Sequence, residues 1–396
     1  MSDSTRVRLL KVLLHIIFFL SGIATVIIGQ FLPIMAKHFA LNDLQVSFFF
    51  PSQFAGSLVG TLITSRLARR NNFMAATLLG GIMMACGVLL MNIDSFGFAL
   101  FGFFVLGMGI GLTLPAINMM IIEVDPARSG PALSILNLCW GLGAILCKPF
   151  VDLFSSHDNI GTTTVILAVP LLAFSLLLRL AAGPPKNSPL KEKNGSDAEN
   201  DPIWRTPLAW MIALFNFIHV GFESGMGGWL TTYTGRVDGE PLTLWISPTL
   251  LYFSFFVIGR GVAPALFRYL NENKMLMLGL VIVLAGMSIT ITAATVITLS
   301  LGAAVAGFGT SWIFPTNVSR FSKTFGQHAT RKATPLFIAG TLGAASSTWL
   351  IGYISDKTGS LRSGMYVLLI SIVLLIILQI ALSRRSTDSS HQVSSR

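Results

Sequence analysis

One apolar run carries three side chains that could bind a cation, move a proton or hydrogen-bond a hydroxyl-rich ligand: Asn216, His219 and Glu223. Their spacing of i, i+3 and i+7 places them on one face of a helix. Glu223 is the only carboxylate deep within any apolar segment. A charge at the centre of a bilayer costs about 2.5–3.5 kcal/mol on insertion scales, so an acid there is a functional-site candidate. A carboxyl that takes up a proton can carry it; one held ionised can bind Na⁺ or accept from a ligand hydroxyl. His219, one turn earlier, is placed to tune it. The competing reading is a structural ion pair, for which Lys148 and Arg260 are the two intramembrane cations available. Lys148 lies at about the depth of Glu223, and Arg260 nearer that of His219, at roughly 1.5 Å of rise per residue. Snorkelling or contact with an anion are the other roles open to them. Gly225, Gly227 and Gly228 follow Glu223, where a helix is loosened or closely approached by another backbone.

Amide side chains donate and accept at once, which suits hydroxyl-rich ligands. Gln30, Gln53, Asn118, Asn137, Asn216 and Asn317 are therefore candidates to line a cavity, against the alternative of interhelical bonds. Trp140 and Trp312 lie well inside their segments and are candidates for stacking on a ligand's C–H face. Trp229 and Trp349 read equally as interfacial anchors.

The elements that position these residues follow from hydropathy. The 396 residues are 53% hydrophobic and 11% charged, with a mean hydropathy of +0.72. Soluble domains carry about 25% charged residues, so this is an integral membrane protein. Apolar segments long enough for roughly 30 Å of hydrocarbon fall near 9–36, 44–65, 73–93, 96–122, 131–153 and 161–182, and again near 207–233, 245–268, 274–294, 297–318, 333–354 and 363–383. The reading is an all-α chain of twelve transmembrane helices. Residues 1–182 form one six-helix bundle, 183–205 a polar linker, 206–385 a second bundle and 386–396 a disordered tail. All but six of the 27 lysines and arginines (Lys37, Lys148, Arg236, Arg260, Lys357 and Arg362 are the exceptions) fall on the linker's side of the segments or in the tail. The positive-inside rule makes that side, and both termini, cytoplasmic. The net charge of +10 reflects this topology and not a nucleic-acid partner. The three cysteines have no metal-type spacing, and no phosphate loop or nucleophile elbow occurs, so neither a metal centre, ATP drive nor an enzyme is expected.

The halves repeat each other. Gly107-Met-Gly109-Ile-Gly111-Leu-Thr-Leu-Pro115 recurs as Gly307-Phe-Gly309-Thr-Ser311-Trp-Ile-Phe-Pro315, and Leu142-Gly143-Ala144 as Leu342-Gly343-Ala344, both 200 residues on. Gly22 and Gly29 match Gly221 and Gly228 at an offset of 199. Duplicated halves place a substrate site near the bilayer midplane.

Two six-helix halves, a polar linker and the loop Gly60-Thr-Leu-Ile-Thr-Ser65-Arg66-Leu-Ala68-Arg69-Arg70 together resemble the major facilitator superfamily, with Ser65 standing where that family has an aspartate. Gly107 to Asn118, Asn137-x-x-Trp140-Gly-x-Gly143-Ala144 and Gly221-x-Glu223-x-x-x-Gly227-Gly228-Trp229 are similar to the fucose–galactose–glucose symporter family and its sodium-dependent glucose transporter relatives. The resemblance implies a bacterial inner-membrane, monomeric secondary transporter working by alternating access. It implies uptake of a sugar-like small molecule coupled to H⁺ or Na⁺, without a cofactor. Glu223 and His219 are the coupling candidates, because the first segment lacks the carboxylate that fucose-permease-like members use there. Arg66, Arg69, Arg70, Glu123 and Arg128 are the expected gating contacts. Export of amphipathic or anionic molecules is the alternative, suited by 29 Phe and 15 Met; the antiporter-type Gly-Pro-Gly-Gly pattern is absent from Gly143 to Pro149.

Overall fold

The computed structural model describes residues 3–68, 72–124, 129–156, 159–181, 203–237, 247–325 and 333–394. It is all-α. Its helices are α1 (Asp3–His38), α2 (Asp43–Ser47), α3 (Phe49–Ala68), α4 (Phe73–Leu90), α5 (Phe96–Val124), α6 (Ser129–Phe154), α7 (Gly161–Ala181), α8 (Pro207–Thr234), α9 (Pro248–Leu266), α10 (Glu272–Thr292), α11 (Val296–Thr310), α12 (Ile313–Phe325), α13 (Thr334–Thr358) and α14 (Leu361–Ser394). Among the described residues they supply 12 spans long and apolar enough to cross a membrane, with α2–α3 and α11–α12 each forming one span. The protein is a multi-pass membrane protein.

Local chemistry sets the helix ends. Asn42 and Gln45 form a reciprocal capping box at α2, at 2.8 and 3.0 Å. Asn72, Ser247, Asn271 and Thr295 cap α4, α9, α10 and α11 by accepting a backbone N–H. Pro207 and Pro248 open α8 and α9, where a missing N–H costs nothing. Gly359, at φ 67°, ends α13 in the left-handed region.

Three boundaries differ from the hydropathy reading. The second span begins with the short α2, separated from α3 at Phe48. The tenth span breaks at Ser311–Trp312, ahead of Pro315. Helix α14 runs to Ser394, past the end assigned at 385.

The chain divides into two units, Met1–Lys193 and Asn194–Arg396. In the first, α3 and α4 flank α5, α1 packs along α6, and α7 packs on α4 and α1. In the second, α9 and α10 flank α11, α8 packs along α13, and α14 packs on α13, α10 and α8. The glycine repeat explains the close flanking. A Cβ on Gly107 would stand 1.9 Å from the Gln53 carbonyl oxygen and one on Gly111 2.1 Å from that of Ser57, both on α3. One on Gly109 would stand 2.5 Å from the Met84 amide on α4. Alternate glycines thus seat α5 against two neighbours. The second unit repeats this: a Cβ on Gly307 would lie 2.2 Å from the Tyr252 carbonyl oxygen, and one on Gly309 2.8 Å from that of Gly279.

Candidate functional site

Helix α8 carries the candidate triad and runs unbroken through Gly225, Gly227 and Gly228. Glycines on α8 serve close approach here and not a bend. A Cβ on Gly221 would lie 2.9 Å from the Gly343 carbonyl oxygen of α13, and one on Gly225 2.6 Å from Leu368 of α14. A Cβ on Gly227 would meet only the Phe253 ring, at 3.3 Å.

Asn216 is fully buried and donates through Nδ2 to the Leu336 carbonyl at 2.9 Å, which ties α8 to the start of α13. Its Oδ1 is buried without a partner. His219 is also fully buried, and neither ring nitrogen makes a hydrogen bond. Its Nε2 stands 3.6 Å from Oε2 of Glu223, whose side chain keeps 27% exposure. An unsatisfied buried polar group costs about 1–3 kcal/mol. The arrangement is therefore a dry base beside a partly wetted acid, separated by slightly more than a hydrogen bond.

Helix α9 adds Tyr252 and Arg260, both near enough to Glu223 for electrostatic interaction. Tyr252 is fully buried beside the Thr310 hydroxyl, which donates to the Ala306 carbonyl at 2.7 Å. Arg260 lies over the Phe256 ring at 4.3 Å and donates through Nε to the Ser311 carbonyl at 3.4 Å. On α13, Ser347 Oγ and Trp349 Nε1 are buried without partners. Buried side-chain atoms without hydrogen-bond partners also occur in the first unit, at Gln53, Thr113, Trp140 and Ser175, so they run through both units.

The remaining candidates separate by environment. Trp229 and Trp312 are fully enclosed, their indole N–H groups bonded to the Thr348 and Met275 carbonyls at 2.9 and 3.0 Å. Trp312 also packs edge-on to Phe308, so its ring faces are occupied and it belongs to the core rather than to a cavity wall. Asn317 is buried, donates to the Ile212 carbonyl at 3.3 Å and accepts from Arg320, which makes it a helix crosslink. In the first unit, Gln53 donates to the Thr25 carbonyl at 3.1 Å and leaves Oε1 buried without a partner. Gln30 is buried and engaged. Trp140 packs against the α1–α5 core with its indole N–H unbonded. Asn118 is half-buried and Asn137 exposed, and each donates at 2.8 Å to a carbonyl one turn back on its own helix. Lys148 is bonded to both carboxylate oxygens of Asp152. Arg66 and Glu123 are exposed on α3 and α5; Arg69, Arg70 and Arg128 lie outside the described residues.

Sequence reading missed Tyr252, although the repeat contained the signal. Gly107 rests on the Gln53 carbonyl as Gly307 rests on that of Tyr252, so the two residues hold equivalent stations. It also passed over Asp152, which stands one helical turn from Lys148.

Residues 14–339 match the model of the Major Facilitator Superfamily. The chain is 25% identical over 389 residues to the glucose/mannose transporter GlcP of Bacillus subtilis, covering 94% of each. Among solved structures it is similar to the E. coli fucose:proton symporter FucP, at 20% identity and a TM-score of 0.64, covering 94% of this chain and 98% of that one. It is also similar to a D-xylose–proton symporter, at 15% identity and a TM-score of 0.76, covering 94% and 96%.

Proposed function

The chain belongs to the Major Facilitator Superfamily, and from that premise we propose that it is a secondary active transporter working by alternating access. Its substrate is a sugar or related polyhydroxyl compound, taken up with H⁺ or Na⁺ through Glu223. The observation that carries the coupling role is the fully buried, unbonded His219 at 3.6 Å from Glu223. Glu223 reaches solvent and His219 does not, so the acid is the port for the ion and the histidine its sensor. The buried Ser347 hydroxyl and Asn216 amide oxygen add hydrogen-bonding capacity of the kind a polyol needs. The sugar class draws on the functions named for the relatives above. Export of an anion loses its motive at Lys148, whose charge is already matched by Asp152. The termini face the cytoplasm and the protein works as a monomer in the plasma membrane.

Proteoliposomes test this with labelled glucose, mannose, galactose, fucose and xylose under imposed proton or sodium gradients. One pH unit is about 1.4 kcal/mol, enough for about tenfold accumulation per proton carried. Wild type is expected to accumulate at least one of these sugars under one gradient. Glu223→Gln should lose that accumulation while retaining exchange of sugar across the membrane. Unchanged accumulation in the variant removes Glu223 from coupling.

A further inference from the structure

The repeated prolines expose a second feature, in which the two units answer one problem differently. A proline has no N–H, so the carbonyl four residues before it loses its helical donor. In the first unit Pro115 leaves the Gly111 carbonyl in that position. The Thr64 hydroxyl of α3 lies 3.2 Å from it, and at 3.2 and 3.0 Å from the carbonyls of Leu112 and Gly60. Helix α5 stays continuous. In the second unit Pro315 leaves the Ser311 carbonyl in that position, and Arg260 of α9, the helix equivalent to α3, donates to it through Nε. Here the helix breaks, α11 ending at Thr310 and α12 starting at Ile313. Gly259 gives Arg260 its reach, because a Cβ there would fall 2.3 Å from Ser311 Oγ. Arg260 also lies over the Phe256 ring at 4.3 Å and sits within the field of Glu223. A neutral hydroxyl thus bridges an intact helix, and one N–H of a charged guanidinium bridges a broken one.

We infer that Arg260 is a positioning residue for the α11–α12 break, capping the Ser311 carbonyl that Pro315 leaves without a helical donor and holding the break next to Glu223 as transport proceeds. A role as a simple charge partner or an anion contact does not require the Ser311 bond. The cap stands on the structure alone, whereas its part in transport rests on the function proposed above.

Melting temperatures and glucose counterflow of the purified full chain separate these roles. Arg260→Met should lower the melting temperature by about 3–6 °C and reduce the maximal counterflow rate about tenfold, with KM changed less than about twofold. Adding Pro315→Ala to Arg260→Met supplies the missing N–H, so most of the lost melting temperature should return. The rate should not, because a straightened helix has lost its break. Arg260→Lys keeps the charge and a donor and should recover most of both. If Arg260→Met does not fold, recovery of folded protein by the added Pro315→Ala supports the cap equally. A double variant melting no higher than Arg260→Met overturns the cap. So does rescue of Arg260→Met by Glu223→Gln and not by Pro315→Ala, since Arg260 would then only balance a charge. A wild type that exchanges none of the five sugars, yet shows the Pro315→Ala rescue, sinks the sugar reading and leaves the cap standing.

Discussion

At the scale of single residues, what decides a role in this chain is whether a side chain's bonding capacity is already filled. Lys148 and Glu223 are both intramembrane charges in the sequence, but Lys148 is closed off by Asp152 four residues on, whereas Glu223 has a loose 3.6 Å contact with His219 and interacts electrostatically with Tyr252 and Arg260. Removing one member of a pair in a weakly polar setting leaves the other charge uncompensated, and removing both restores balance. Lys148→Met and Asp152→Asn should therefore each cost about 1 kcal/mol, a modest figure because both side chains keep some solvent contact. The double variant should melt within about a degree of wild type and still transport. Additive losses in thermal melts would show that the two residues act separately. Residue types and depth made Asn216, His219 and Glu223 legible in the sequence, and an i, i+4 reading would have paired Lys148 with Asp152. Enclosure was not legible: Trp312 and Trp140 sit similarly deep in their segments, yet one indole is bonded and shut in while the other is unbonded.

At the scale of elements, the same residue type does different work according to what faces it. Gly107 and Gly307 stand against carbonyl oxygens that a Cβ would approach to 1.9 and 2.2 Å, so an alanine at either forces two helix backbones apart. Overpacking of this kind costs about 1–3 kcal/mol. Gly107→Ala and Gly307→Ala should each lower the melting temperature and the yield of folded protein. Gly227 faces only the edge of a phenylalanine, and alanine is the better helix former by about 1 kcal/mol. Gly227→Ala should leave melting unchanged or slightly raised, and should slow counterflow while leaving sugar affinity within about twofold if α8 flexes during the cycle. Unaltered counterflow assigns that glycine to packing. Twelve spans and the repeat were readable because hydrophobic length and glycine spacing are written along the chain. The break at Ser311–Trp312 was not, since Pro115 and Pro315 occupy matching places and a break precedes only Pro315. The difference lies in the partner helix, Thr64 against Arg260, a tertiary contact that hydropathy does not encode.

At the scale of the whole molecule, the two units share one packing plan and differ in where they carry polar chemistry. The second unit carries Asn216, His219, Glu223, Tyr252 and Arg260, and the station of Tyr252 is held in the first unit by the neutral Gln53. The first unit holds its intramembrane charges as the paired Lys148 and Asp152. Orientation is set by a different part of the sequence. On the orientation proposed above, six basic residues are exceptions to the cytoplasmic bias and two of those, Lys148 and Arg260, are inside spans, so four remain for the outer loops. Lysine and arginine near span ends resist translocation, and the asymmetry here runs in the same sense along both halves. A fluorescent protein fused after Arg396 should consequently fold and fluoresce in cells, and alkaline phosphatase fused at the same place should remain inactive. The same pair of reporters placed after Arg236, in the first outer loop of the second unit, should give the opposite result. Matching signals at the two positions would mean that the five spans between them do not all cross the membrane, and the twelve-span topology that gives Glu223 its place within it would fail.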